Sequence, residues 1–141
     1  MLTLALAGNP AFRVDDLEKN RAGPSYTADT LDELQARHPG HEFVLVLGSD
    51  ALRDLPGWHE PRRIVQRAAL LVKGRPGVDL VPAEELQAKV GEAVRLQVVE
   101  APLVDISSRD LRERVRAARS IRYLVPRAVE MYIQDKRLYL G

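Results

Sequence analysis

The sequence of 141 residues contains no cysteine, only three histidines and a single tryptophan. Without cysteine the chain cannot form disulfides, use a thiol in catalysis or bind a metal through thiolates. Three histidines leave little for a metal site of any kind, so we predict no metal bound by protein side chains. No apolar run reaches the length of about 18 residues that a membrane span needs, and no signal peptide is recognisable at the N-terminus. We therefore expect a cytoplasmic protein without a membrane partner.

An excess of either charge is also missing, because 21 basic side chains nearly balance 20 acidic ones and the net charge is +1. A nearly neutral chain with few aromatic residues does not predict nucleic-acid binding. The first sixty residues are net acidic and the remainder is net basic, which predicts that the later part of the chain binds an anion. A hydrophobic content of 45% and a charged content of 29% are typical of a globular protein, and a length of 141 residues predicts one domain over residues 1–141.

Apolar runs alternate with amphipathic stretches along the whole chain, which predicts an α/β fold with a mostly parallel sheet. The run at residues 43–47 is uninterrupted and predicts a buried strand. A helix should begin near Thr27, with Ser25 or Thr27 as its N-cap. We predict further strands at 12–16, 68–72 and 95–99, a helix that ends before Gly8, and further helices at 61–67, 82–94, 109–118 and from Pro126 onward.

Three candidate binding residues, Gly48, Asp50 and Trp58, follow the strand at 43–47. Ligands of open α/β sheets bind outside the carboxyl ends of the strands. Gly48 allows a nucleotide to approach the backbone, Asp50 can accept hydrogen bonds from ribose hydroxyls, and Trp58 can stack on a ring. The alternatives are that Asp50 caps a short turn at 51–54 and that Trp58 packs in the core or at its edge.

Two hydroxyls, Ser107 and Ser108, stand at the predicted start of another helix, with Arg112 one turn further on. The N-terminus of a helix offers unsatisfied N–H groups and a positive dipole end, so this arrangement predicts a phosphate site. The alternative is that one serine only caps the helix and that Arg112 is a solvated arginine.

The segment His38-Pro39-Gly40-His41 reads H-x-G-H, a signature associated with nucleotidyl transfer. In that chemistry the histidines must precede a helix, where the dipole attracts phosphate. Here they follow a predicted helix and precede a strand, so we interpret them as a helix-terminating turn.

With these residues assembled, the chain resembles bacterial nicotinate-nucleotide adenylyltransferases, which have a Rossmann-like nucleotidyltransferase fold. The resemblance covers most of the sequence and rests on several motifs in order: Gly23-Pro24-Ser25-Tyr26-Thr27-Ala28-Asp29-Thr30-Leu31, Leu47-Gly48-Ser49-Asp50, Leu55-Pro56-Gly57-Trp58-His59, Gly74-Arg75-Pro76-Gly77, Ile106-Ser107-Ser108-Arg109-Asp110-Leu111-Arg112 and Arg122-Tyr123-Leu124-Val125-Pro126.

The resemblance implies adenylyl transfer from ATP to nicotinate mononucleotide, giving deamido-NAD and pyrophosphate, with Mg²⁺ accompanying ATP. By the same resemblance, Trp58 stacks on the nicotinate ring, and Thr27 and the backbone at His59 lie near its carboxylate. The implied ATP-binding residues are Gly48 and Asp50 for the adenosine and Ser107, Ser108 and Arg112 for the phosphates. Arg109 replaces the threonine that is usual in the family.

One family segment has no counterpart in residues 1–141. The family begins with a strand and a Gly-Gly-x-Phe-x-Pro-x-His-x-Gly-His motif, whose histidines stabilise the transferring phosphate. We therefore expect an N-terminally truncated chain that lacks a βαβ unit of roughly 30 residues or more, has no catalytic residue and has weak or absent activity. The alternative function is an inactive fragment that binds nucleotide or acts as an interaction module, and unpaired sheet edges allow a homo-oligomer.

Overall fold

The computed structural model describes residues 1–74, 79–102, 104 and 106–140. The chain divides into two compact units. Unit 1 comprises Met1–Asp16 and Val104–Gly141, and unit 2 comprises Leu17–Leu103. The expectation of a single domain stays a prediction.

A three-stranded parallel sheet forms the centre of unit 2. Its strands are β1 (Phe43–Gly48), β2 (Ala68–Lys73) and β3 (Leu96–Val99), in the order β1-β2-β3. The register pairs Phe43 with Ala68 at the start of β1, and Leu70 with Leu96 at the start of β3. The strands predicted at 43–47, 68–72 and 95–99 and their parallel arrangement are thus confirmed.

Four α-helices connect or flank these strands in unit 2. They are α2 (Thr27–Arg37), α3 (Ser49–Asp54), α4 (Pro61–Arg67) and α5 (Ala83–Val90), with 3-10 turns at Leu17–Asn20 and Leu55–Gly57. Each predicted helix of this region is present, but α5 is shorter than expected. It ends at Val90 because Gly91 adopts the left-handed conformation, with φ of 75°.

The core of unit 2 lies on one face of the sheet. Leu47, Leu70 and Val72 are buried there against side chains of the surrounding helices, including Leu52 and Ile64. Successive side chains of a strand point to opposite faces, and on the other face Val46 is 66% exposed. The strand predicted at 43–47 is therefore buried on one face only, and the prediction of burial is wrong for Val44 and Val46 on the other face. Among the described residues, β1 pairs only with β2 and is an edge strand.

Unit 1 contains α1 (Leu2–Leu6), α6 (Ser108–Arg116) and α7 (Arg127–Asp135). Ile121, Val129 and Ile133 are buried in its small core, and Leu4 of α1 packs against them. The helix predicted to end before Gly8 is confirmed, and Gly8 has a φ of 90°. The last helix begins one residue later than predicted, because Pro126 is its N-cap.

Two predictions of local structure are wrong. Residues 12–16 form no strand and pair with no other described strand; their alternation is too short to bury a face, and Phe12 and Val14 are exposed. The N-cap of α2 is Tyr26 rather than Ser25 or Thr27, and no side chain caps this helix. Most of the predicted turn at 74–77 lies outside the described residues.

Within the part of the chain that the structure describes, no helix combines the length and the apolar character that crossing a bilayer requires.

The two faces of the sheet give a matched pair of stability measurements. Val72 is fully buried and Val46 is 66% exposed. We expect Val72→Ala to lower the free energy of unfolding by about 2 kcal/mol, since it removes two buried methyl groups and leaves a cavity. Val46→Ala should change it by less than about 0.5 kcal/mol. Urea unfolding followed by the fluorescence of Trp58 measures both, and equal effects would contradict the one-sided core.

Candidate functional site

The carboxyl end of β1 leads directly into α3. Gly48 is the N-cap of this helix, with an extended backbone, and Asp50 lies in its first turn. The alternative that Asp50 caps the turn at 51–54 is therefore wrong, because the cap position is two residues earlier. Ser49 is fully buried, so this junction is held firmly against the core of unit 2.

A cavity of about 300 Å³ opens beside the start of α2. Thr27, Trp58 and His59, the three residues predicted to bind substrate, all line it. Its remaining lining residues are Ser25, Tyr26 and Ile64. The volume is at the lower end of the range for small-molecule sites, which suits one small ring. Gly48 and Asp50 do not line this cavity.

Three aromatic rings line the cavity, those of Tyr26, Trp58 and His59. Trp58 is partly buried and packs against the core of unit 2, as the core alternative predicted, and it also lines the cavity. Its stacking on a substrate ring stays a prediction. The ring of Tyr26 stacks on His59, with centroids 4.1 Å apart and an interplanar angle of 29°. The sequence motif that contains Tyr26 did not predict this stacking, although an aromatic residue beside a predicted substrate threonine was a usable signal.

Arg63 of α4 is the centre of an ion-pair network beside the cavity. It contacts Asp29 at 3.0 Å and Asp32 at 2.5 Å on α2, and it also pairs with Glu60. Arg67, one turn further along α4, contacts Asp32 at 2.7 Å. The hydrogen bond from Arg63, followed by that from Arg67, lowers the pKa of Asp32 below its usual value. The sequence offered no signal for Arg63, because its partners on α2 are remote in sequence.

A second group of charges involves Glu33, a neighbour of Asp32 on α2. Arg21 contacts Glu33 at 2.8 Å, and Arg37 also pairs with Glu33. The hydrogen bond from Arg21 lowers the pKa of Glu33, and Arg37 adds to this effect. Arg21 also donates to the hydroxyl of Thr30 at 3.1 Å. These contacts tie the segment before α2 to the helix itself.

One cluster has the donor types of a metal site. Donor atoms of Asp29, His59 and Glu60 lie within 4.8 Å of one another. The guanidinium of Arg63 already pairs with both carboxylates and supplies their positive charge. Mg²⁺ prefers oxygen ligands and usually takes them from substrate phosphates as well as carboxylates, so this histidine-containing cluster does not fit it.

The predicted phosphate site lies at the start of α6 in unit 1. Ser107 is the N-cap, and its hydroxyl oxygen accepts a hydrogen bond of 3.1 Å from the backbone N–H of Asp110. The capping alternative for this serine is thus observed, although a hydroxyl that accepts one bond can still donate another. Ser108 begins the helix, and Arg112 is exposed one turn later. Their role in binding phosphate stays a prediction.

The two histidines of the H-x-G-H segment lie where the sequence placed them. His38 is the C-cap of α2, and the N–H of His41 donates to the carbonyl of His38 at 3.2 Å. Both precede β1 and therefore lie at the opposite end of that strand from Gly48. The interpretation as a helix-terminating turn is confirmed.

Solved structures identify the class of fold. The chain is similar to Plasmodium falciparum nicotinic acid mononucleotide adenylyltransferase complexed with APC, with a TM-score of 0.65 and 22% identity over 84% of this chain and 60% of that chain. The same enzyme complexed with NaAD gives a TM-score of 0.64 and 23% identity, covering 82% of this chain and 58% of that chain. The chain thus has a Rossmann-like nucleotidyltransferase fold, as the sequence predicted.

Curated relatives identify the family. A probable nicotinate-nucleotide adenylyltransferase of Thermomicrobium roseum is 44% identical over 99% of this chain and 65% of its own length. That of Geobacillus kaustophilus is 42% identical over 99% of this chain and 60% of its own length, and that of Salinibacter ruber is 44% identical over 99% and 69%. The chain belongs to the nicotinate-nucleotide adenylyltransferase family.

Two further findings qualify the extent of the match. The chain spans 60–65% of the length of the Geobacillus kaustophilus and Thermomicrobium roseum relatives. No protein-family model matches the chain.

The charge networks on α2 predict a pH dependence of stability. Because folding lowers the pKa values of Asp32 and Glu33, their contribution is present above the unfolded pKa and is lost as the pH falls through the folded one. We expect the urea midpoint of unit 2, followed by Trp58 fluorescence, to decrease below about pH 4. Asp32→Asn should show a smaller decrease than the wild type. An identical acid dependence in both proteins would contradict the role of Asp32.

Proposed function

We propose that this chain binds nicotinate mononucleotide and ATP for adenylyl transfer, the reaction in which deamido-NAD and pyrophosphate form. In that reaction a phosphate oxygen of the mononucleotide forms a bond to the α-phosphorus of ATP, and the bond from that phosphorus to pyrophosphate breaks. The observation that supports the proposal best is the cavity of unit 2, which brings Thr27, Trp58 and His59 together.

The cavity has the features that a nicotinate ring requires. Trp58 offers an aromatic face to a planar ring, and such stacking adds to the energy of burial. Thr27 is the first residue of α2, a helix of 11 residues. The positive end of that helix and its unsatisfied N–H groups favour a carboxylate over a neutral amide. These features support nicotinate, rather than nicotinamide, as the ring that is bound.

We assign ATP to two further groups of residues. Gly48 and Asp50 bind the adenosine, because the backbone at Gly48 is accessible from the end of β1 and the carboxylate of Asp50 can accept from ribose hydroxyls. Ser107, Ser108 and Arg112 bind the phosphates at the N-terminus of α6. Mg²⁺ accompanies the phosphates of ATP, and we assign no side chain of this chain to it.

We assign no residue of this chain to acid–base or phosphate-stabilising catalysis. His38 and His41 lie at the wrong end of β1, and His59 stacks on Tyr26. Phosphoryl-type transfer depends mainly on positioning and charge stabilisation, so the residues identified here contribute by holding both substrates. We further propose that the protein is cytoplasmic, that it can form a homo-oligomer and that it has no nucleic-acid partner.

Removal of the indole tests the cavity. We expect Trp58→Ala to weaken the binding of nicotinate mononucleotide by about 5- to 150-fold, since stacking on a ring is worth roughly 1–3 kcal/mol. Isothermal titration calorimetry measures the binding, and deamido-NAD formation with ATP is followed beside it. Tyr123→Ala, which truncates an exposed aromatic residue of unit 1, is the control and should bind like the wild type. Equal binding by Trp58→Ala would refute the assignment.

Two exposed arginines of α6 test the phosphate site. Arg112→Ala should weaken the binding of a non-hydrolysable ATP analogue by roughly 1.5–3 kcal/mol, the usual value of a hydrogen bond to a charged group. Arg116→Ala removes the same charge one turn further from the helix N-terminus and should have little effect. Equal losses in both variants would show that only the general positive charge of α6 matters.

A further inference from the structure

The cavity of unit 2 is formed by two chain segments that are remote in sequence. One wall comes from residues 25–27, which lead into α2, and the other comes from Trp58 and His59, which lead into α4. No disulfide joins these walls, since the chain has no cysteine. The width of the cavity therefore depends on how α2 and α4 are held together.

Arg63 is the residue that links both walls through one guanidinium. It contacts Asp29 at 3.0 Å and Asp32 at 2.5 Å on α2, the helix that begins at the wall residue Thr27. Toward the other wall it pairs with Glu60, the neighbour of His59. Arg63 does not itself line the cavity, so it can act on a ligand only through these partners.

The backbone of Glu60 shows why this link matters locally. Glu60 is the N-cap of α4 and has a φ of 49°. This value lies in the left-handed region, which residues other than glycine adopt at an energetic cost. Its carboxylate contacts Arg63 and also lies 3.5 Å from Nε2 of His59. His59 in turn stacks on Tyr26 of the opposite wall. Arg63, Glu60, His59 and Tyr26 thus form a continuous series of contacts that connects α4 with α2 on both sides of the cavity.

We propose that Arg63 is a positioning residue that sets the width of the nicotinate cavity by fixing Glu60 and the start of α2. The identity of the ligand rests on the proposed function, whereas the effect of Arg63 on the geometry does not. Arg63 and its partners stay about one third or more exposed, so solvent screens these ion pairs and they contribute little to global stability. The main consequence of losing Arg63 is therefore a looser cavity rather than an unfolded protein.

The experiment compares Arg63→Gln with Arg67→Gln. Arg67 lies on the same helix and pairs with Asp32 of α2, but it contacts neither Asp29 nor Glu60. The first readout needs no ligand: acrylamide quenching of Trp58, the single tryptophan of the chain. The second readout is the affinity for nicotinate mononucleotide by calorimetry, and circular dichroism checks that each variant is folded.

We expect Arg63→Gln to raise the quenching of Trp58 and to weaken binding about fivefold or more, with Arg67→Gln close to the wild type in both. Arg63→Lys should be intermediate, because a single ammonium cannot bridge carboxylates as a planar guanidinium does, and it replaces Arg63→Gln if that variant does not fold. Unchanged quenching in the Arg63 variants, or equal effects of the Arg67 variant, would overturn the proposal. Changed quenching in a protein that does not bind the mononucleotide would support the positioning role and refute the proposed ligand.

Discussion

The parallel pairing of β1 with β2 is the constraint on which the rest of unit 2 depends. It runs without interruption from Phe43 opposite Ala68 to Gly48 opposite Lys73. Because parallel strands need a crossover connection, the chain between them must leave the carboxyl end of β1 and return to the start of β2. That crossover contains α3, Trp58 and α4, so the pairing determines where the candidate ligand-binding residues lie.

Burial on one face of this sheet then orders the helices. Leu47, Leu70 and Val72 face the helices, and the side chains between them on each strand face away. Trp58 contributes to the same core while one part of it remains at the cavity, so its position is set by packing and not by the ligand. A preorganised aromatic face of this kind binds a ring without a large ordering cost.

Ion pairs restrict the relative position of α2 and the segment before α4, which core packing alone does not define completely. Ala28 of α2 and Ile64 of α4 belong to the same buried core, and outside that core Arg63 connects Asp29, Asp32 and Glu60 through partly exposed side chains. Such pairs add little to global stability, but a guanidinium that bridges several carboxylates restricts the relative movement of the segments that carry them. In the cluster of Asp29, His59 and Glu60, the guanidinium of Arg63 therefore supplies the positive charge that a magnesium ion would otherwise supply.

The sequence by itself determined the alternation of strands and helices, because apolar periodicity is local. The apolar runs at 68–72 and 95–99 were sufficient to predict β2 and β3, and the run that ends at Gly48 was sufficient to predict β1. Its ordered motifs also predicted the family, and they named Thr27, Trp58 and His59, which the fold brings to one cavity. Only the tertiary structure decided that β1 is an edge strand with Val46 exposed, that residues 12–16 form no strand, and that Arg63 joins α2 to α4. Each of these depends on which segments become neighbours, and a contact between residues more than thirty positions apart leaves no periodic trace in the sequence.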